Sequence, residues 1–213
     1  MILLSIPFAF LFGYLIKRVI NWLEIDGFKI KESNFILEIL LVLPFSWAYA
    51  NLQPTEFISF SLMSAVLFGI AYVDYKTFQI PLIFIIIGVT ITVFNVYIKN
   101  IYLTAALWGI FVGAVIPLLI LAGMWVITKR QGMGFGDIQL GFVLGAWLGP
   151  MRMALTLFFA SFLSLLTWIA VSIFKGFDKD RAIPMAPFLT IAAMSIYIGS
   201  FYYPDFFYLL ITD

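Results

Sequence analysis

The chemistry open to this chain is set first by what it lacks. Its 213 residues include no histidine and no cysteine. That removes histidine-based metal sites, Ser-His-Asp triads, Cys-His dyads, disulfides and zinc-thiolate sites together. Carboxylate, lysine, serine and tyrosine chemistry remain. Of the eleven acids, three lie against or within apolar runs: Glu38, Asp74 and Asp137. Asp74 sits in AYVDYKTFQIP and Asp137 in GMGFGDIQLGFVLGAWLG. Two carboxylates facing each other in a pocket of low dielectric share one proton, because both cannot easily ionise. The ionised partner can take a proton from water while the protonated one donates to a carbonyl, which is general acid–base hydrolysis without a metal or a covalent intermediate. The bland alternative for Asp137 is a helix N-cap. That alternative does not reach Asp74, which ends an apolar run at the negative pole of a helix dipole.

The elements that must hold these groups are membrane helices. Apolar residues make up 64% of the chain and charged residues 11%, against roughly 45–50% apolar in ordinary soluble domains. The expected fold is an all-α membrane protein, a single transmembrane domain over 1–213. Apolar stretches fall at about 1–16, 35–52, 57–73, 80–98, 101–127, 138–149, 153–174 and 184–203, and a span needs ~20 residues. The stretch 101–127 is long enough to tilt or bend near Pro117. The stretch 138–149 is short, at roughly 18 Å of helix. Positive charge follows the first apolar stretch rather than preceding it, so 1–16 reads as a retained span and not as a cleaved signal.

Loop charge orients the spans. With the N-terminus outside, the cytoplasmic loops 17–34, 74–79, 128–137 and 175–183 carry ten of the twelve basic residues, and only Lys99 and Arg152 fall outside. That agrees with the positive-inside rule. It supports about eight spans with both termini outside, 138–149 included. Span three then ends, and span six begins, on the cytoplasmic side. Asp74 and Asp137 therefore lie at similar depth on one face, although 63 residues separate them. Acids at membrane depth are costly and usually mark a pathway or a site. A proton-coupled transporter using the two aspartates as a relay is the rival reading. It predicts inverted repeats, and none is legible.

Glycine clusters around Asp137, at Gly132, Gly134, Gly136, Gly141, Gly145 and Gly149. The Gly134–Gly136 segment could lie beside an extended substrate strand, whereas Gly141, Gly145 and Gly149 fit close helix packing. Pro184 and Pro187 either expose carbonyls to a substrate or start a helix. Glu38 either hydrogen-bonds within the bundle or contacts substrate. Glu24, Asp26, Glu32, Asp178 and Asp180 are ordinary loop charge, with the capacity to hold a basic peptide.

GMGFGD followed by LGAWLG resembles the prepilin peptidases, bacterial members of the GxGD aspartic peptidases related to archaeal preflagellin peptidases. The family's first aspartate lies in D-x6-P, matched by Asp74 and Pro81 with Ile80 before the proline. AIPMAPFL resembles the late Pro-x-x-Pro-Phe-Leu segment through Pro184, Pro187 and Phe188. FGYLIKRVI weakly resembles the opening span, and Glu38 a family glutamate early in span two. The resemblance implies an enzyme of the bacterial inner membrane with Asp74 and Asp137 catalytic at the cytoplasmic face. Its substrates would be type IV prepilins or pseudopilins of pilus and secretion systems, cut after a glycine that ends a basic leader. Cleavage needs no cofactor; S-adenosylmethionine serves only the N-methylation that many bacterial members add. The chain departs from the pattern in lacking the paired Cys-x-x-Cys loop. Lys17 stands where asparagine is usual, and Gln139 where lysine is usual two residues after the second aspartate. The resemblance therefore implies cleavage and does not extend to methylation.

Overall fold

A computed structural model describes residues 5–128, 134–178 and 181–209. Gly132 and Asp180, named above, lie outside them, as do Lys129, Arg130 and Lys179 of the basic loops. The described residues form helices and no strand. In hydrocarbon a helix satisfies its backbone polar groups within one segment, so an apolar chain of this composition folds as helices. The order is α1 (Ser5–Leu23), α2 (Ile36–Asn51), α3 (Pro54–Thr77), α4 (Leu82–Tyr97), α5 (Leu103–Ile110), a π-helical turn (Phe111–Val115), α6 (Ile116–Thr128), α7 (Phe135–Leu148), α8 (Pro150–Lys175), α9 (Ala186–Tyr202) and α10 (Pro204–Leu209). Four helical stretches are long and apolar enough to cross a membrane: Ser5–Leu23, Pro54–Thr77, Leu103–Ile127 and Pro150–Lys175. Four more, α2, α4, α7 and α9, are apolar but run 14 to 17 residues. The protein is an integral membrane protein. Its chain divides into two compact units, Met1–Asn100 and Ile101–Asp213.

The first unit is built on α1–α4. Its interior holds Ile20, Leu37, Leu41, Phe45, Phe60, Met63, Leu67, Ile70 and Phe84. α1 runs through Lys17 and Arg18 to Leu23, so Lys17 is not the loop residue that the charge pattern predicted. It is buried, and its ammonium donates to Glu38 Oε1 at 2.6 Å and to the carbonyls of Asn34 at 3.0 Å and Glu32 at 3.2 Å. Those three acceptors match the three protons of an ammonium, which is why a lysine can sit inside an apolar helix. Gly13, one turn earlier, makes this possible. A Cβ there would fall 2.7 Å from the Cα of Glu38, so only glycine lets α2 approach α1 closely enough for the pair to form.

The second unit is organised by a glycine crossing. A Cβ at Gly109 would lie 1.9 Å from the carbonyl oxygen of Gly145, and one at Gly113 would lie 2.2 Å from that of Gly141. The relation is reciprocal: Cβ atoms on Gly145 and Gly141 would strike the carbonyls of Gly109 and Gly113. Such close contact supplies packing between apolar helices that lack a hydrophobic drive to associate in lipid. Gly113 lies in the π-helical turn, four residues before Pro117. Proline offers no N–H to that carbonyl and clashes with it in a regular helix. Widening to an i→i+5 pattern relieves the clash, and Ile116 donates to Phe111 O. The irregularity expected near Pro117 thus takes the form of a π turn just ahead of it. Gly149 differs from Gly141 and Gly145. It has φ +79° and nothing closer than 3.9 Å to its would-be Cβ, so it turns the chain from α7 into α8 and does not pack helices. On either side of it, Trp147 stacks on Tyr197 at 4.9 Å and 4°, and Arg152 lies 5.6 Å from the same tyrosine ring.

Two predictions follow from this packing. Lys17→Met leaves Glu38 buried without a counter-charge and should cost about 3–5 kcal/mol in detergent unfolding, while the double variant Lys17→Met/Glu38→Leu should regain most of it. Equal losses in both would show that the pair does not hold α1 to α2. Gly145→Ala should destabilise by ~1–3 kcal/mol or more through overpacking. Gly123→Ala and Gly199→Ala, at helical positions open to 4 Å, should instead stabilise by roughly 0.5–1 kcal/mol. Thermal midpoints of the three variants compare them directly.

Candidate active site

Asp74 belongs to the first unit and Asp137 to the second. Asp74 occupies the last turn of α3, the most buried of the long apolar helices. Its residue is only 5% exposed. The helix ends because Phe78 takes a left-handed conformation, φ +56°, and its N–H returns to the carbonyl of Asp74 at 2.9 Å. Gln79 and Ile80 then lead to Pro81, which precedes the first residue of α4. Proline restricts the residue before it to extended backbone. The D-x6-P spacing is therefore the span of one helix end, one reversal and one helix start. Lys76 adds a cation to the last turn, where the dipole favours it.

Asp137 is the third residue of α7, and its N–H donates to the carbonyl of Gly134 at 3.1 Å. The N-cap is Gly134, not Asp137, and it provides no side-chain cap. The carboxylate lies in the first turn, where the helix dipole favours negative charge. It also folds back toward Gly134: a Cβ there would come within 3.1 Å of Asp137 Oδ2. The backbone of Gly134, φ −70° and ψ 143°, is open to any residue. Glycine is fitted here by the room it leaves for the carboxylate, not by backbone strain. Gly136 follows within the same first turn, so Gly134, Gly136 and Asp137 share one helix start.

The remaining candidates have separate surroundings. Glu38 is buried on Lys17, and its second oxygen, Oε2, has no hydrogen-bond partner among the described residues. Pro187 is the second residue of α9, with Pro184 in the segment before it; the amides of Phe188 and Leu189 both donate to Met185 O. Gln139 is half-buried on α7, two residues past Asp137. Among the described residues no cluster of three or more acids could hold a metal ion. Sequence reasoning did not single out Gly109 and Gly113. Their i, i+4 spacing, matching that of Gly141 and Gly145, was the available signal. It also missed the bond between Lys17 and Glu38, because 21 residues separate them.

Gly134→Ala forces the Asp137 carboxylate to move by a few tenths of an ångström while leaving the helix start intact. Any hydrolysis that the Asp137 carboxylate serves is expected to fall by up to about 10²-fold, as small misplacements of reacting groups do, with the thermal midpoint unchanged. Wild-type cleavage in this variant would mean that the position of the carboxylate is not set by Gly134.

The family model described as the type IV leader peptidase family matches residues 61–169. The chain is 25% identical over 160 residues to the prepilin leader peptidase/N-methyltransferase of Pseudomonas putida, covering 73% of this chain and 48% of that protein. It is 29% identical over 143 residues to the protein of that name from Neisseria gonorrhoeae, covering 65% and 48%. To the one from Aeromonas salmonicida it is 31% identical over 85 residues, covering 38% and 29%. The chain thus spans half or less of the length of these relatives. No solved structure matches it. With more than half of its length matched by the family model, both aspartates included, the chain belongs to the type IV leader peptidase family.

Proposed function

We propose that the protein is a membrane-embedded aspartic endopeptidase that removes the basic leader of type IV prepilins or pseudopilins, cutting after a glycine at the cytoplasmic face. The observation that carries this reading is the family match, which spans both Asp74 and Asp137. The relatives named above are prepilin leader peptidases. Loop charge supports the orientation: eight spans, both termini outside, and both aspartates at the inner face of the bacterial cytoplasmic membrane.

In this reading the two carboxylates hold one proton between them. The ionised one takes a proton from water as the water oxygen attacks the scissile carbonyl carbon, and the other donates its proton to the carbonyl oxygen. When the tetrahedral intermediate collapses, the C–N bond breaks and the amine leaves with a proton. One water is consumed and the dyad regains its starting proton. The burial of Asp74 suits this exchange, since a carboxylate shielded from water feels each electrostatic contact more strongly. Gly134, Gly136, Pro184 and Pro187 would line the extended substrate, and Glu38 would act through the packing of α1 and α2. In the segment joining α1 to α2, Glu24 is held by Lys29 and Asp26 by Gln79, which leaves Glu32 as the acid of that segment to meet a basic leader. The proposal covers cleavage alone; methylation with S-adenosylmethionine is outside it.

The test is cleavage of a prepilin by the purified protein in detergent, with Asp74→Asn and Asp137→Asn alongside wild type. Each variant should lose about 10²–10⁴-fold in rate. Leader left intact by wild type, or cut by either variant at the wild-type rate, would sink the reading.

A further inference from the structure

The segment joining α1 to α2 carries three acids and two lysines, and the structure separates them. An open cavity of about 620 Å³ is lined by both lysines, Lys29 and Lys31, and by none of the acids. Glu24 binds Lys29 from outside the cavity, at 2.5 Å, and that bond holds its carboxyl below the usual carboxylate range, first by hydrogen bonding and then by charge. Asp26 accepts from Gln79. Lys31 and Ser33, which also line the cavity, have no side-chain partner among the described residues. Tyr72 closes the inner wall. Its hydroxyl accepts from Asn34 Nδ2 at 3.0 Å and keeps its own proton for another acceptor. Its donors are the Lys31 ammonium and the Ser33 and Tyr72 hydroxyls, joined by the Lys29 ammonium once that group leaves Glu24, a set suited to a phosphate.

The opposite side of the cavity is apolar and continuous with the outer face of α2. Phe35, Ile36 and Ile39 line it. From Ile36 the exposed positions run through Ile39, Leu40 and Leu43, which are 48%, 63%, 43% and 71% exposed. Those positions, at i, i+3, i+4 and i+7, form one stripe. On an integral membrane helix such a stripe faces acyl chains. Trp22, 76% exposed near the end of α1, is of the type that sits at the headgroup level. A soluble phosphate would use the basic side and leave the stripe unexplained. A lipid uses both.

We infer that this cavity binds the headgroup phosphate of an anionic glycerophospholipid, with an acyl chain along the outer face of α2. A zwitterionic headgroup would bring its own cation against Lys29 and Lys31, so net negative charge sets the preference.

The test measures retention of phosphatidylglycerol against phosphatidylethanolamine by the full-length protein, using native mass spectrometry and a titration of both lipids into detergent. Wild type should retain phosphatidylglycerol preferentially. Lys29→Gln/Lys31→Gln should weaken it by about fivefold per lysine, and the control Lys175→Gln, on an exposed helix end, should not. Inorganic phosphate at matched concentration should fail to displace the lipid. Equal retention of both lipids, wild-type retention by the double variant, or displacement by phosphate each overturns the inference. So does a double variant that retains lipid but loses affinity for prepilin, which would assign the cavity to the substrate. Thermal midpoints of the variants exclude unfolding as the cause.

Discussion

A charge taken out of water must be met by other charge or by hydrogen bonds, and in a chain with so few polar residues that requirement shapes the structure around each one. Lys17 is the clearest case. Its ammonium would break an apolar helix if it stood alone. Instead Glu38 and two carbonyls surround it, and the carbonyls come from the segment that leads into α2. One buried pair thus joins α1, α2 and the start of their connection. Gly13 is its geometric condition, because any side chain there would push Glu38 away. The same requirement makes the position of Asp74 informative. A carboxylate that is 5% exposed at the C-terminal end of a helix gains nothing from the dipole, so its placement is costly and calls for a use.

Packing without a hydrophobic drive is the second constraint. Between helices surrounded by lipid, association depends on shape. In the second unit this is met by glycines facing glycines, with backbone carbonyls close to opposing Cα atoms. The π turn before Pro117 belongs to the same device. It admits a proline to a long apolar helix and places Gly113 in the crossing. The helix held in this way is α7, whose first turn carries Asp137. A rigid crossing beneath the Asp137 carboxylate limits how far that carboxylate can wander, which is what any reacting group that must meet another within a few tenths of an ångström requires.

Sequence alone established a good deal. The hydrophobic runs and the scarcity of charge required membrane helices, because a long uninterrupted apolar run satisfies its backbone within one helix, whereas barrel strands alternate apolar and polar residues. The absence of histidine and cysteine narrowed catalysis to carboxylate, lysine, serine or tyrosine chemistry, and D-x6-P, GMGFGD and LGAWLG tied Asp74 and Asp137 to a family. These features are local or compositional, so they survive in one dimension. Tertiary structure decided the rest. Lys17 reads as a loop cation until Glu38, distant in the chain, is brought against it. Gly149 reads as the third member of a packing stripe until its positive φ makes it a turn. Gly109 and Gly113 carry no meaning until Gly141 and Gly145 face them. A cap stays open as the alternative for Asp137 until Gly134 proves to hold that position and to leave room for the carboxylate. Each of these depends on which atoms meet across helices, or on a backbone angle within a few residues, and spacing along the chain encodes neither.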